Sequence, residues 1–334
     1  MRIAIREIED LVARALQRHG TRPGAAASVA QALARAEAEE VPVCGLFYLP
    51  FFCAHLGNGK LRGDALPTVT QRRPAALTID AGQGFAQPAF DLAIPLLVEA
   101  ARQTGVAAVA IQRSYNALAL GHPAERLAEA GLIGLTCGNA PAAVAPPGSS
   151  VRLFGTNPLA FALPIPGGEP LVVDQSSSAV TKTEIRRHLA AGKALPAGWV
   201  QDAAGRPTTD PATGLAGSML PAGWQKGANI ALLVEIPAAV LPGASLSPLA
   251  GAISSNEGGP PDLGQFLLAI DPAAFGGAVA LERMTALAES YLGAGLRLPG
   301  ARRQAARRRA AVEGVALSEA TVATLRDLAG NGNP

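Results

Sequence analysis

Gly82-Gln83-Gly84 is the first place where residue type and spacing point to chemistry, because two glycines in a turn between a strand-like and a helix-like segment can cradle a dinucleotide's pyrophosphate. The pattern stops there. Gln87 stands at the third glycine position, and no acidic residue ends a second strand about twenty residues on, so a Rossmann-type turn is not supported. His19, His55, His122 and His188 lie in separate segments without metal-ligand spacing, so no metal site is expected. A Gly-x-Ser-x-Gly nucleophile elbow and a Gly-x4-Gly-Lys-Ser/Thr phosphate loop are both absent from the sequence.

Cys44, Cys53 and Cys137 are an odd, irregularly spaced set, which suits free thiols in a reducing cytoplasm better than a disulfide framework. Arg302, Arg303, Arg307, Arg308 and Arg309 form a basic cluster on an Ala-rich helical stretch and read as a solvated helix face. Over the whole chain charge is balanced, 28 Lys+Arg against 26 Asp+Glu, so no nucleic-acid partner is expected. No apolar run reaches the ~18 residues of a membrane span. Charged residues through Met1–Gly20 also argue against a signal peptide, so neither export nor a membrane is expected.

The elements that must position any site follow from periodicity. With 334 residues, 49% of them hydrophobic, the chain can bury a sizeable core and has the length of about two domains. Helical spacing runs through Ile3–His19 and Pro23–Ala38, and an apolar stretch Val43–Leu56 ends at Gly57-Asn58-Gly59. Beyond a boundary near Pro67, strand-like and helical segments alternate: Ala76–Asp80, Pro88–Thr104, Val106–Gln112, Pro123–Ala130 and Leu132–Cys137. An α/β core is therefore predicted. Prolines between Ala140 and Pro170 argue against a central strand there. Thr181–Ala191 and Ala228–Val240 read as helices separated by a loop-rich stretch, and Phe266–Ile270 reads as a strand. Gly243–Gly264 is a long Pro/Gly-rich loop of the kind that is functional or mobile, and Phe275–Leu328 is helical except around Pro299-Gly300. The predicted organisation is an N-terminal helical and substrate region over 1–66, a core over 67–300 with an inserted helical segment at about 181–240, and a helical tail over 301–334.

Longer strings in order carry a resemblance. They are Gly45 with Leu49-Pro50, Phe154-Gly155-Thr156-Asn157-Pro158-Leu159-Ala160-Phe161, Asp174 with Ser177-Ser178-Ala179, and Leu195-Pro196-Ala197-Gly198-Trp199. Gly205-Arg206-Pro207-Thr208-Thr209-Asp210-Pro211, Leu220-Pro221 with Lys226-Gly227, Ile270-Asp271-Pro272, and Leu298-Pro299-Gly300 with Arg302-Arg303 continue the series. Across most of its length the chain resembles the type-2 malate/L-lactate dehydrogenase family, which includes ketimine reductases of cyclic imino acids. The resemblance implies an α/β fold that binds NADH or NADPH without a Rossmann turn, and a homodimer acting on a small molecule. It places the nucleotide on Asn116, Ala117, Leu118, Ala119 and Leu120, on Thr156, on Asp174, Gln175 and Ser176, and on Gln225 and Lys226. Arg302 and Arg303 join Lys226 as expected phosphate partners.

The chain departs from that family at its reactive positions. Where members carry Ser-His-Gly and then an arginine before Leu-Pro, it has Val43-Cys44-Gly45 and Tyr48; where malate-type members place a histidine two residues after a serine, it has Ser114-Tyr115-Asn116. Trp224, Gln225 and Asn229 likewise alter the family's glycine-rich pattern around Lys226. Taking hydride from an alcohol needs a base for the hydroxyl proton, whereas a protonated iminium needs no proton at its nitrogen as hydride arrives, so imine reduction tolerates these losses better. Glu184 falls at the position of an acidic relay residue in ketimine-type members, and His188, four residues on, shares its helix face, making the two a candidate relocated acid/base pair. Tyr48 is expected to orient substrate, and Cys44 is either a proton donor or a packed thiol. The expected function is NAD(P)H-dependent reduction of a C=N bond in a cyclic, amino-acid-derived substrate. The alternatives are a 2-keto-acid/2-hydroxyacid oxidoreductase with altered polar groups, or a non-redox enzyme or binding protein on the same scaffold.

Overall fold

Ile8, Leu11, Val12, Ala15 and Leu16 recur at helical spacing and are all buried, the apolar face of α1 (Ile5–Arg18), which follows the two-residue strand β1 (Arg2–Ile3). That face packs on α2 (Pro23–Ala38), where Pro23 sits in the first turn, the one place a helix tolerates its missing N–H. Two short 3₁₀ turns, Pro42–Cys44 and Leu46–Tyr48, then lead into α3 (Leu49–Gly57). The computed structural model describes residues 1–330, the side chains of 70–72 excepted, so the last four residues of the tail expected over 301–334 lie outside the described residues.

The middle of the chain supplies β2 (Thr68–Arg73), β3 (Ala76–Asp80), α4 (Ala86–Thr104), β4 (Val106–Ser114), α5 (Gly121–Glu129), β5 (Ile133–Gly138), β6 (Leu159–Leu163) and β7 (Leu171–Gln175). Next come α6 (Lys182–Ala190), the two-residue strands β8 (Val200–Gln201) and β9 (Pro207–Thr208), α7 (Pro211–Ala216), β10 (Ser218–Met219) and α8 (Gln225–Glu235). After α8 comes β11 (Leu263–Ile270), followed by α9 (Gly277–Gly293), α10 (Ala301–Glu313), β12 (Val315–Ala316) and α11 (Glu319–Leu328).

Seven strands form one sheet in the order β2-β3-β4-β11-β5-β6-β7, parallel only between β3 and β4. Helices α4 and α5 cover one face, burying Phe90, Leu97 and Leu127 against Ile79, Val109, Ile111 and Leu267. On the other face, Val234 and Ala238, from α8 and its π-helical continuation Ile236–Val240, pack on Cys137, with Leu159 and Phe266 partly buried beside them. Residues between Ala143 and Ala231, outside β6 and β7, build a separate small core around Phe154, Ile185, Leu195 and Met219. The tail is not separate from the beginning of the chain: Val315, Val322 and Leu325 share one core with α1, α2 and α3, and β12 pairs with β1.

A central strand does form where prolines argued against one. β6 fits its five residues between Pro158 and Pro164 and pairs with β5 and β7, so neither ring has to supply a ladder N–H. The Gly82-Gln83-Gly84 turn serves packing. Gly82 and Gln83 adopt φ +63° and +62°, the Gly82 N–H is taken by Asp80 Oδ1 at 2.7 Å, and a Cβ at Gly84 would lie 2.7 Å from that of Ala65.

Candidate active site

The cavity of interest, about 310 Å³, opens between the 41–48 turns, the 116–119 segment, the ends of β5 and β7, the start of α6 and the 252–254 loop. Its size is in the range of small-ligand sites, about 300–1,000 Å³. The Glu37 carboxylate accepts the Leu46 N–H at 2.7 Å and sets the first wall, and a Cβ at Gly45 would collide with that carboxylate. Burial pushes Glu37 up, partly offset by this hydrogen bond. The turn so fixed brings Cys44 and Tyr48 to the cavity, with the Tyr48 ring stacked on Phe52 at 5.9 Å.

Burial, reinforced by Asp174, pushes the Cys44 thiol up to about 12. Burial and neighbouring Cys44 push Tyr48 up to about 12, against the opposing pull of Asn116 and Arg186. Both therefore stay protonated at neutral pH.

Asn116 lies where β4 leaves the sheet. Its Oδ1 accepts the Leu118 N–H at 3.0 Å, which holds Leu118 at φ +60°, and Gln87 Nε2 donates to the carbonyls of Asn116 and Ala117. Asn116 Nδ2 is buried and has no hydrogen-bond partner among the described residues. Ala117, Leu118 and Ala119 line the cavity, whereas Leu120 is buried behind it, its carbonyl accepting Thr136 Oγ1 at 2.7 Å. Thr156 follows Gly155, whose closeness to the Ala140 carbonyl leaves no room for a Cβ, and the Thr156 carbonyl accepts Ser176 Oγ at 3.1 Å and Ser177 Oγ at 2.8 Å. Gln175 and Ser176 line the wall beside Asp174, which accepts a hydrogen bond from Arg303 at 2.7 Å.

An ionic cluster holds α10, which carries Arg303. Glu39, next to the end of α2, meets Arg35 at 2.7 Å, Arg307 at 3.1 Å and His122 Nε2 at 3.0 Å; Glu125 pairs with Arg35 and with Arg307. Burial raises the Glu39 pKa, but the hydrogen bond and charge of His122, then Arg35, outweigh it and hold the carboxyl at about 2. Burial also pushes His122 down, against the pull of Glu39. Thus Arg303 and Arg307, one turn apart, point inward, and the basic cluster is not simply a solvated face; Arg302, Arg308 and Arg309 are exposed.

The 252–254 wall belongs to the long loop before β11. His55 Nε2 meets the Ser255 carbonyl at 3.0 Å, Lys60 Nζ donates to the same carbonyl at 2.8 Å and to that of Glu257, and Asn58 Nδ2 donates to the Asn256 carbonyl at 3.3 Å.

Glu184 and His188 do approach each other, at 3.4 Å, but neither lines the cavity. His188 contacts the Ala194 carbonyl at 2.9 Å and packs edge-on to Trp199, and Glu184 also pairs with Arg187. Lys182, Thr183 and Arg186 are the α6 residues that reach it. Residues two apart on a helix do not share a face, so 182 and 186 look into the cavity while 184 and 188 look elsewhere. The i,i+4 spacing of Lys182 and Arg186 was the available signal. Gln225, Lys226 and Arg302 are exposed and outside the cavity. Among the described residues no three His, Cys, Asp or Glu side chains could share a metal ion, and no helix is long and apolar enough to cross a membrane.

A concave pocket between a mixed sheet and a helical lobe, lined by polar donors and with two arginines and a lysine, is the kind of site that takes an anionic small molecule beside a larger cofactor. Residues 3–326 match the family described as malate/L-lactate dehydrogenase, and the chain belongs to that family of oxidoreductases. It is 41% identical over 325 residues, 97% of either chain, to a (2R)-3-sulfolactate dehydrogenase (NADP(+)) of Chromohalobacter salexigens. It is 40% identical over 323 residues, 96% of this chain and 97% of the other, to a Delta(1)-pyrroline-2-carboxylate/Delta(1)-piperideine-2-carboxylate reductase of Pseudomonas aeruginosa. A crystal structure of delta1-piperideine-2-carboxylate reductase from Pseudomonas syringae pv. tomato superposes with a TM-score of 0.93 at 36% identity, covering 98% of this chain and 99% of that one.

Proposed function

We propose that the chain is an NAD(P)H-dependent reductase of the C=N bond in a small cyclic imine carrying a carboxylate. The observation that carries this is the make-up of the cavity. Among the described residues no histidine lines it, Cys44 and Tyr48 are held protonated, and the one lining carboxylate, Asp174, is occupied by Arg303. Oxidising an alcohol requires a base to take the hydroxyl proton, and none of these groups is free to act as one. An iminium brings its proton with it, and the pocket has only to bind and orient it.

The residues present suit a nicotinamide nucleotide: Asn116 Nδ2, beside the Tyr48 hydroxyl, is buried without a partner at hydrogen-bond geometry among the described residues, and Thr156, Gln175 and Ser176 lie along the same wall. When bound, NAD(P)H supplies the hydride. Tyr48 offers a hydroxyl donor to the substrate, Cys44 fills the wall as a neutral thiol, and Leu118 and Ala119 give the ring an apolar surface. Lys226 and Arg302 are exposed and have no carboxylate partner among the described residues, which leaves them available to the nucleotide's phosphates beyond the cavity, with Gln225 beside them.

A second reading, oxidation or reduction of a doubly charged 2-hydroxy or 2-keto acid, is favoured by the 41%-identical sulfolactate dehydrogenase and by the pocket's two unneutralised cations, Lys182 and Arg186. Titrating the protein with NADPH and NADH, followed by nicotinamide fluorescence and thermal shift, tests both readings. Micromolar binding supports a reductase, and no binding of either overturns it.

Leu232, Leu233, Ile236, Val240 and Leu241 expose an apolar strip on α8 and its continuation, which supports a homodimer through this face; light scattering on the purified protein checks it. The free thiols Cys44, Cys53 and Cys137 support a cytoplasmic location.

A further inference from the structure

Among the described residues four charged side chains line the cavity: Asp174, Lys182, Arg186 and Arg303. Asp174 and Arg303 neutralise each other at 2.7 Å. Lys182 and Arg186 have no carboxylate partner among the described residues, and as i and i+4 on α6 they form one face. Burial, and then the charges of Arg152 and Arg186, lower the Lys182 pKa, so the ammonium is held where only an added anion would relieve it. Arg152 cannot be displaced toward it, being spent on the carbonyls of Leu215, Ala216 and Gly217.

Where on the wall this charge sits decides its use. Arg186 lines the same cavity as Tyr48, Arg186 coming from α6 and Tyr48 from the 41–48 turns, and Tyr48 stands where the family described above carries an arginine before Leu-Pro. A cation absent from one wall is present on the other. Two unpaired cations in a half-buried pocket are unfavourable unless a ligand of opposite charge completes them.

We propose that Arg186 and Lys182 bind the carboxylate of the substrate, with Arg186 supplying from α6 the cation missing at Tyr48. The proposal rests on the reductase reading above for the identity of the substrate, but not for the existence of the anion site. A guanidinium engages a carboxylate through two parallel hydrogen bonds, and an ammonium adds a third from the side.

The test uses the full chain as wild type, Arg186→Gln, Arg186→Lys and Lys182→Met, each checked for an unaltered thermal melt. If Arg186→Gln melts early, Arg186→Lys, which keeps the charge and loses the fork, is the measurement. The readouts are kcat and KM for Δ1-piperideine-2-carboxylate and for 1-piperideine, which lacks the carboxylate. Dissociation constants for picolinate, NADPH and NADH complete the set. Arg186→Gln is expected to raise KM for the carboxylate substrate and Kd for picolinate about 10- to 100-fold, the loss of a charge-assisted hydrogen bond. Arg186→Lys is expected to raise them less. Kinetics with 1-piperideine and the nucleotide constants are expected to stay unchanged. An unchanged preference for the carboxylate substrate over 1-piperideine overturns the proposal. So does a loss that appears in the Kd for NADPH and not NADH, which would assign both cations to the nucleotide's extra phosphate. If the wild type reduces no imine yet binds picolinate through Arg186, the anion site stands and the reductase reading falls; an active wild type indifferent to Arg186 gives the reverse.

Discussion

Replacing Glu39 with glutamine would test how the active-site wall is held. Glu39 is nearly inaccessible, its side chain 4% exposed, and it meets Arg35 at 2.7 Å, Arg307 at 3.1 Å and His122 at 3.0 Å. The glutamine leaves two arginines sharing the single carboxylate of Glu125. Breaking a buried pair from one side costs about 3–5 kcal/mol. The displacement of the Glu39 carboxyl from 4.5 to about 2 gives a figure of the same order, about 3 kcal/mol at about 1.4 kcal/mol per pH unit. The sign follows from the direction. A carboxyl with a depressed folded pKa contributes stability that is fully present above pH 4.5 and is lost as pH falls from there toward 2. His122, pushed below its ordinary 6.5 by burial, works the same way at its own pH, since protonation is resisted in the folded state. Urea unfolding followed by the fluorescence of Trp199 and Trp224 should therefore show Glu39→Gln about 3 kcal/mol less stable at pH 7. The gap should narrow steadily below pH 4.5. Because Arg303 lies one turn from Arg307 on α10, the variant should also bind nucleotide more weakly. A gap under about 1 kcal/mol at pH 7, or one that does not shrink on acidification, would refute the reasoning.

Other outcomes follow from the placement of single groups. Cys44→Ala should keep kcat within about threefold, far from the ~10²–10⁴-fold of an essential acid/base group, and the wild-type thiol should resist alkylation at pH 8 because burial pushes it to about 12. Glu184→Gln and His188→Ala should likewise change kcat less than about threefold in steady-state assays, since the pair stands outside the cavity; a loss above about 100-fold would restore it to the chemistry. Gly45→Ala should cost about 1–3 kcal/mol in chemical denaturation by driving a methyl into the Glu37 carboxylate, and should weaken substrate binding through Tyr48. Lys60→Met should speed proteolysis within residues 251–260 and raise KM, because its ammonium holds the carbonyls of Ser255 and Glu257 behind the 252–254 wall.

What the sequence makes legible divides along physical lines. Long helices with a clean apolar face, such as α1, α2 and α4, announce themselves by period, and β3, β4 and β5 by short apolar runs between turn residues. β6 is masked by its bounding prolines, and the two-residue strands that tie β1 to β12 are too short to carry a pattern. The sheet order, with β11 inserted between β4 and β5, depends on contacts over more than a hundred residues and leaves no local trace. At the site, Cys44, Tyr48, Asn116, Thr156, Asp174 and Arg303 could be placed by likeness to known relatives, and they line one cavity. Lys182 and Arg186 could not, because a helix's inward face is set by what it packs on, here Ile185 buried against Leu195 and Val200. The loop that carries the 252–254 wall stood out by its Pro/Gly-rich composition, but which of its residues meet the cavity did not, since backbone carbonyls hold it and these have no sequence signature.

Turnover of NADPH, followed at 340 nm with the purified chain, bears most directly on the function proposed for this cavity. Rapid oxidation with Δ1-piperideine-2-carboxylate or Δ1-pyrroline-2-carboxylate, and kcat/KM at least about 100-fold lower with pyruvate or sulfopyruvate, is the predicted result. Faster turnover of the keto acids than of either imine would contradict it.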